Sequence, residues 1–310
     1  MKRLMLQKTD TYGIEIEFTS NRRLLLERDF LHLKKKKILH PDWEIKRENS
    51  CDCFEKQMVG LEINSPIMSQ HKYWLQELKV VLKELEKMTQ LTESCAIHFH
   101  IGKQIFEDNV SYLQNLLLLW CYYEEVIFRF SSGEYDRLRK GIDSFARPLN
   151  ISLSNSQIMD LKHCPDLYVF LKHMSYDVGR VLAVNLLPYY YAVKHENFGS
   201  TWKKQTVEFR TFAATYQYEL IYHYLDMILN MIQHAKEMDE EERQKYYHAL
   251  MTRNEYIDIN CMTRKQIPFD RYFGFEKEKA EEFAKLIYAD EKKQKQFMKI
   301  YTCKSKSYEE

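Results

Sequence analysis

The sequence predicts an α+β fold: a mainly antiparallel sheet with an apolar back and a polar front, helices behind it, and a helical C-terminal region. Three observations carry this. Short segments near residues 12, 60, 96 and 206 alternate apolar and polar residues, the period of a half-buried strand. Between them lie longer segments with apolar residues at helical spacing. From Tyr216 onward the chain is highly charged, with helical periodicity and no strand pattern.

YGIEIEF, 12–18, reads as a strand with Ile14, Ile16 and Phe18 on one side and Glu15 and Glu17 on the other. A charged helix follows over about 22–38, and its LKKKK end suits the negative end of a helix dipole. Pro41 breaks the chain. WEIKREN from Trp43 is a second strand, and VGLEINSP, 59–66, a third, stopped by Ser65-Pro66. A helix over about 70–88 places Trp74, Leu78, Val81, Leu82 and Leu85 near helical spacing. CAIHFHIG, 95–102, is a fourth strand. Asp108 or Asn109 caps a helix running to about Phe130. Its LLLLWCYY run reads as a buried helix face, too short to span a bilayer. Residues 131–155 read as a polar loop and 155–163 as a short helix. RVLAVNLLPYY, 180–190, and QTVEFRTFA, 205–213, read as two neighbouring antiparallel strands. A catalytic-type region over 1–215 is expected, with a helical region over 216–310 packed on it.

The totals bound the function. The 310 residues allow one large domain or two smaller ones. The net charge of +1 gives no argument for nucleic acid or a membrane surface as a partner. Seven scattered cysteines contain one close pair, Cys51 and Cys53, with no second pair to match. This argues against a zinc motif of paired cysteines and against a disulfide framework, and suits the reduced thiols of a cytoplasmic protein. The N-terminal MKRLMLQKTD has no apolar core for a signal peptide.

The chemistry lies in a recurrence. Glu15 and Glu17 share one strand face, Glu62 and Asn64 another, His98 and His100 a third, Glu208 and Arg210 a fourth. An ordinary solvent-facing strand also alternates, but it favours Thr, Lys and Ser. Here, apart from Asn64, the polar positions are carboxylates, imidazoles and one guanidinium, with no lysine. Two carboxylates side by side disfavour each other's ionised form unless a positive charge lies between them. Oxygen ligands with one or two imidazoles suit Mg²⁺ or Mn²⁺ better than Zn²⁺. Such Mg²⁺ sites usually serve phosphates, and an arginine beside one would neutralise developing phosphate charge. Arg210, Arg180 and Arg147 are the candidates. The chain has no GxxxxGK[ST] or GxGxxG phosphate loop. A nucleotide would therefore be held by cations and arginines on a sheet.

In their order, YGIEIEF, GLEINSP, AIHFHIG, FARPLN, GRVLAVNL and VEFRTFAAT resemble the amidoligase family, ATP-dependent carboxylate–amine ligases related to glutamate–cysteine ligase and glutamine synthetase. The resemblance implies a curved antiparallel sheet of the glutamine synthetase/glutamate–cysteine ligase type, with helices on its convex side and the active site on its concave side. It implies a reaction in which ATP phosphorylates a carboxylate and an amine attacks the acyl phosphate to give an amide, on an amino acid or peptide. It implies Glu15, Glu17, Glu62, His100 and Glu208 as metal ligands, with His98 beside them as a metal or phosphate contact. Arg210 then contacts the phosphate or acyl phosphate, Arg180 and Asn185 the nucleotide or substrate, and Arg147 borders the substrate. ATP and Mg²⁺ (or Mn²⁺) are the implied cofactors.

Two departures stand out. Where the family often shows an Asp-Gly-Ser turn, this chain reads KRENSCDCFEKQ, so Glu48, Asp52 or Glu55 would supply the carboxylate, Glu48 sitting best by position. AAT at 213–215 lacks the glycine that often precedes this threonine. Two other function classes compete: a degenerate member that binds nucleotide or peptide without turnover, and a metal-dependent hydrolase using the HFH strand with Glu17 as base. The helical tail suits core support, self-association into a homo-oligomer, or docking of a partner.

Overall fold

Six strands form one open antiparallel sheet in the computed structural model, which describes residues 10–51, 57–69, 73–175, 179–202, 204–254 and 269–308. The strands are β1 (Tyr12–Ser20), β2 (Glu44–Arg47), β3 (Val59–Asn64), β4 (Ala96–Gly102), β5 (Val184–Asn185) and β6 (Thr206–Ala213). Their order across the sheet is β2-β3-β1-β4-β6-β5. Thirteen α-helices occur among the described residues. Those that matter for the site are α2 (Tyr73–Met88), α3 (Val110–Tyr122), α4 (Glu124–Ser131), α8 (Leu187–Asn197) and α9 (Tyr218–Glu237).

The apolar face of the sheet makes the core. Ile14, Ile16 and Phe18 of β1 are buried there with Leu61, Ile63, Ile97, Phe99 and Phe209. Helices seal it through aromatic contacts: Trp74 of α2 meets Tyr12 at 4.9 Å, Trp120 of α3 meets Phe209 at 5.5 Å, and Tyr224 of α9 meets Phe212 at 4.7 Å. The apolar run of α3 is buried as expected, with Leu116 to Trp120 fully enclosed. Burial of each such side chain contributes about 1.5–3 kcal/mol. Asn109 is the residue that caps α3, its side chain accepting the Ser111 N–H. The expected division at residue 215 falls in the connection between β6 and α9.

Register turns the recurrence of polar residues into a cluster. Glu15 stands opposite Asn64 on one side and His98 on the other. Glu17 stands opposite Glu62, and His100 opposite Glu208. Asn185 of β5 also stands opposite Glu208. An irregularity interrupts the β4–β6 pairing: Phe99 pairs Phe209, while Ile97 pairs Phe212. One extra β6 residue is accommodated there, so the strict alternation read from TVEFRTF ends at Arg210. Such bulges re-aim side chains and occur beside active sites.

Other expectations need correction. The strand expected over 180–190 is only two residues long, because α8 begins at Leu187 with Pro188 in its first turn. Proline's fixed φ suits that position, and the Asn185 side chain accepts the Leu187 N–H at 2.9 Å just before it. Arg180 lies in a single 3₁₀ turn, Gly179–Val181, not in the strand with Asn185. The helix expected to run from Asn109 to Phe130 is interrupted at Tyr123. There the Glu124 carboxylate accepts the N–H groups of Leu149 and Asn150 at 2.6 and 2.9 Å. Those bonds anchor residues 149 and 150 of the supposed loop over 131–155, which also contains a short helix at Ile142–Phe145. A helix at Leu167–Ser175 was not expected at all. Asp52 and Glu55 lie outside the described residues. Among the described residues, no helix is long and apolar enough to cross a membrane.

Candidate active site

Adjacent strands carry the candidate ligands to one place. β1 supplies Glu15 and Glu17, β4 supplies His98 and His100, and β6 supplies Glu208. One ligand atom each from Glu15, His100 and Glu208 lies within 4.8 Å of the others. His100 Nε2 is 3.2 Å from Glu15 Oε2 and 4.0 Å from Glu208 Oε1. It is buried and makes no directed hydrogen bond. His98 links three carboxylates: its Nδ1 is 3.5 Å from both Glu15 and Glu208, and its Nε2 is 3.5 Å from Glu17.

The carboxylates are individually oriented. Glu17 accepts the Ala96 N–H at 2.8 Å, and Glu208 accepts the Asn185 side-chain N–H at 2.6 Å. Asn64 donates to Glu62 at 3.0 Å. The second ring nitrogen of His100 lies 3.2 Å from the Thr206 hydroxyl. Lys204 Nζ reaches Glu15 at 3.2 Å.

Electrostatics divides the cluster. Burial works to raise the Glu15 carboxyl, but His100 and His98 hold it far below the usual range. Burial likewise opposes ionisation of Glu208, and His100 with Arg210 still keeps it low. Burial pushes the His100 imidazole down, yet Glu15 and Glu208 bring it above its ordinary value. Glu17 and Glu62 go the other way. Burial raises both, Glu48 adds to each, and Glu15 adds to Glu62. His98 and Arg139 act against the rise at Glu17, and Asn64 and His98 against that at Glu62, without cancelling it.

Two cavities flank the cluster. The larger, about 460 Å³, is lined by Glu15 and His100 together with Glu44, Asn64, Lys204 and Thr206. The smaller, about 190 Å³, is lined by Glu17, Glu48, His98, Arg139, Arg180 and Arg210. Arg210 Nε is 3.6 Å from Glu208, and its Nη1 donates to the Arg180 carbonyl at 2.6 Å. Glu48 therefore sits near Glu17 but outside the Glu15–His100–Glu208 triad. Arg147 lines neither cavity. Its backbone bonds to Val181 and Ala183, tying its loop to the segment that carries Arg180.

Three site residues escaped the sequence reading. Arg139 lies in the segment taken as a loop, with no periodicity to reveal it. Lys204 precedes a strand, and Thr206 opens one. Nothing in the neighbouring sequence distinguishes either from an ordinary solvent-facing side chain.

The chain shows similarity where these elements lie. No curated protein matches it. A family model described as "Putative amidoligase enzyme" matches residues 8–232, which takes in all six strands, the acid–histidine cluster and most of α9. On that match, over more than half its length, the chain belongs to the amidoligase enzyme family.

Proposed function

We propose that the protein is an ATP- and divalent-cation-dependent carboxylate–amine ligase acting on an amino acid or peptide. The observation that carries the reading is the triad of Glu15, His100 and Glu208, its ligand atoms within 4.8 Å and Arg210 at its edge. Two carboxylate oxygens and one imidazole suit Mg²⁺ or Mn²⁺. Glu17 and Glu62, opposite each other on β1 and β3, are the further carboxylates proposed to face a cation, with Glu48 near Glu17. The antiparallel sheet with a polar, acid-rich face accords with the glutamine synthetase/glutamate–cysteine ligase architecture.

In the proposed reaction a carboxylate oxygen of the first substrate attacks the γ-phosphorus of ATP, and ADP leaves. The amine nitrogen of the second substrate then attacks the acyl carbon, the C–O bond to phosphate breaks, and inorganic phosphate leaves carrying the proton the amine gives up as the amide forms. Bound cations would neutralise the phosphate oxygens. The chain's own part is orientation and charge. Asn185 and Ala96 fix the Glu208 and Glu17 carboxylates, and His98 holds three carboxylates at one spacing. Arg210, with Arg180 beside it, meets the transferred phosphoryl group. The larger cavity is of a size to take the nucleoside end of ATP, while the smaller is left for the carboxylate. Arg147 acts through the loop it ties to Val181 and Ala183.

Calorimetric titration of ATP with and without Mg²⁺, repeated for Glu17→Gln and Glu208→Gln, tests this. Mg²⁺-dependent binding that both substitutions weaken supports the ligase. A folded wild-type protein that binds no ATP rules it out and leaves a metal-dependent hydrolase or a binding module to explain the cluster.

A further inference from the structure

Arg139 is 3 % exposed in the wall of the smaller cavity, and its Nη2 donates to the Arg210 carbonyl at 3.1 Å. Residues 136–140 around it lie in no helix or strand. An irregular segment keeps one conformation only where contacts offset its backbone entropy. Glu93, just ahead of β4, supplies one set of contacts. Its carbonyl accepts the Lys140 N–H at 2.8 Å, and its carboxylate lies 3.3 Å from Arg137 and 3.4 Å from Lys140. Both ion pairs are partly exposed, and such pairs hold weakly. The other set of contacts comes from residues 304–308, which follow helix α13 (Glu291–Thr302).

These residues run back along 133–137. The Lys306 N–H donates to the Glu134 carbonyl at 2.9 Å, and the Asp136 N–H donates to the Lys306 carbonyl at 2.8 Å, a parallel bridge centred on Tyr135. The Ser307 hydroxyl donates to the Asp136 carboxylate. Lys304 uses all three of its donors on backbone carbonyls, those of Arg129 at 2.7 Å, Gly133 at 2.6 Å and Ile300 at 3.1 Å. Arg129 and Ile300 lie in the last turns of α4 and α13, where the helix dipole favours a cation. Tyr308 ends this run. It is 5 % exposed and lies flat on Tyr135, the rings 3.8 Å apart and 7° from parallel. The Arg137 guanidinium sits over the Tyr308 ring at 5.7 Å. The Tyr308 hydroxyl is buried and makes no hydrogen bond among the described residues, so the ring is what anchors. Arg139 is close enough for its charge to act on the Tyr308 phenol.

We propose that residues 304–308 are a strap that positions Arg139 in the candidate site, with Tyr308 as its anchor. The strap grips Glu134, Tyr135, Asp136 and Arg137 by backbone bonds and by stacking. It thereby sets the segment that brings the Arg139 guanidinium to the Arg210 carbonyl and to the cavity wall shared with Glu17. Tyr308 does not line the cavity and acts through Tyr135 and Arg137. The family match ends at residue 232, so the strap ties a part of the chain beyond that match to the wall of the site. The proposal rests on the ligase reading only where an ATP analogue is the probe.

The test is phenylglyoxal labelling of the folded full chain, each modified arginine being located by mass spectrometry. In wild type, Arg139 is expected to be protected, while Arg28, with its side chain 71 % exposed, labels and serves as the reference. Tyr308→Ala is expected to raise Arg139 labelling about tenfold against Arg28, the scale of losing one hydrogen bond of a charged group. Tyr308→Phe keeps the ring and is expected to stay within about twofold of wild type. Lys306→Pro removes the N–H that meets the Glu134 carbonyl, on an exposed residue, and so tests the strap whether or not Tyr308→Ala folds. It is expected to raise labelling about threefold or more, the scale of one ordinary hydrogen bond. Leu26→Ala, a core change in the helix at Arg23–Lys35, is expected to leave Arg139 protected. Calorimetry follows binding of a non-hydrolysable ATP analogue with Mg²⁺ in parallel. Tyr308→Ala and Arg139→Met are each expected to weaken it about tenfold, and the double variant no more than Arg139→Met alone, as for residues that act as one unit. Arg139 still protected in folded Tyr308→Ala or Lys306→Pro protein overturns the strap. Equal exposure of Arg139 in Leu26→Ala also overturns it, since the effect would then be one of general stability. Losses that multiply in the double variant overturn it as well. Wild-type protein that ignores the analogue overturns the ligase reading, and the labelling then decides the strap by itself.

Discussion

His98 Nε2 lies 3.5 Å from Glu17 Oε1, while the other nitrogen of the same ring lies 3.5 Å from Glu15 and from Glu208. One imidazole thus separates three carboxylates on two strands, Glu17 and Glu208 buried and Glu15 half-buried. His98→Ala is expected to leave those charges facing one another. Removing a buried polar partner so that its neighbours are left unsatisfied costs about 1–3 kcal/mol. Loss of a residue that orients ligands weakens metal binding by about 10- to 100-fold. Thermal unfolding and Mn²⁺ titration of the variant check both effects. Unchanged Mn²⁺ affinity in a folded His98→Ala protein would mean that the imidazole does not organise the site.

Divalent cations are expected to stabilise the wild-type fold. A ligand at about 100 times its Kd adds about 2.7 kcal/mol, or about 5 °C for a chain of this size. Glu15→Gln and Glu208→Gln remove one oxygen ligand each and are expected to erase the Mg²⁺- and Mn²⁺-dependent shift. Melting curves with Mn²⁺ and with EDTA decide this, since an equal shift in the variants would place the cation elsewhere.

Lys204 is expected to compete with the cation. Its ammonium reaches Glu15 at 3.2 Å, although the side chain is 60 % exposed. Burial tends to lower its pKa, but Glu15 holds it above its ordinary value, so it remains charged. Lys204→Ala removes a like charge from the cation's neighbourhood. Discounted for exposure, the gain in Mn²⁺ affinity is about two- to fivefold. Weaker binding by the variant would show that Lys204 supports the site instead.

Glu124 gives a pH dependence away from the cluster. It is wholly buried, and burial pushes its carboxyl up to about 8, against the N–H groups of Asn150, Leu149 and Trp120. The unfolded carboxyl titrates near 4.5, so the folded state holds the extra proton between the two values. The stability due to the neutral form is full below about 4.5 and is lost as the pH rises through about 8. The slope in between is at most about 1.4 kcal/mol per pH unit. Glu124→Gln cannot ionise. Calorimetric unfolding at pH 5.5 and 8 is expected to show a larger fall in Tm for wild type than for Glu124→Gln. Parallel falls would assign the dependence to other groups.

Much of the site was legible because strand periodicity is local. Glu15 with Glu17, His98 with His100, and Glu208 with Arg210 each share a face for reasons contained in three consecutive residues. The sequence alone also determined the apolar backs of these strands and the buried character of α3. Periodicity misled where a short polar signal competed with it. LLPYY looks like a strand until Pro188 is seen to open a helix, and the alternation of the 205–213 strand ends at the bulge.

Only the tertiary structure decided which strands are neighbours. The order β2-β3-β1-β4-β6-β5 sets β1 against β4 and β4 against β6, and so brings Glu15, His100 and Glu208 together. Strand pairing depends on contacts between segments far apart in the chain, which no local window contains. The same holds for Arg139. Its place comes from a turn held by the fold and from a carbonyl freed by a bulge on a distant strand, so its chemistry appears only when the chain is folded.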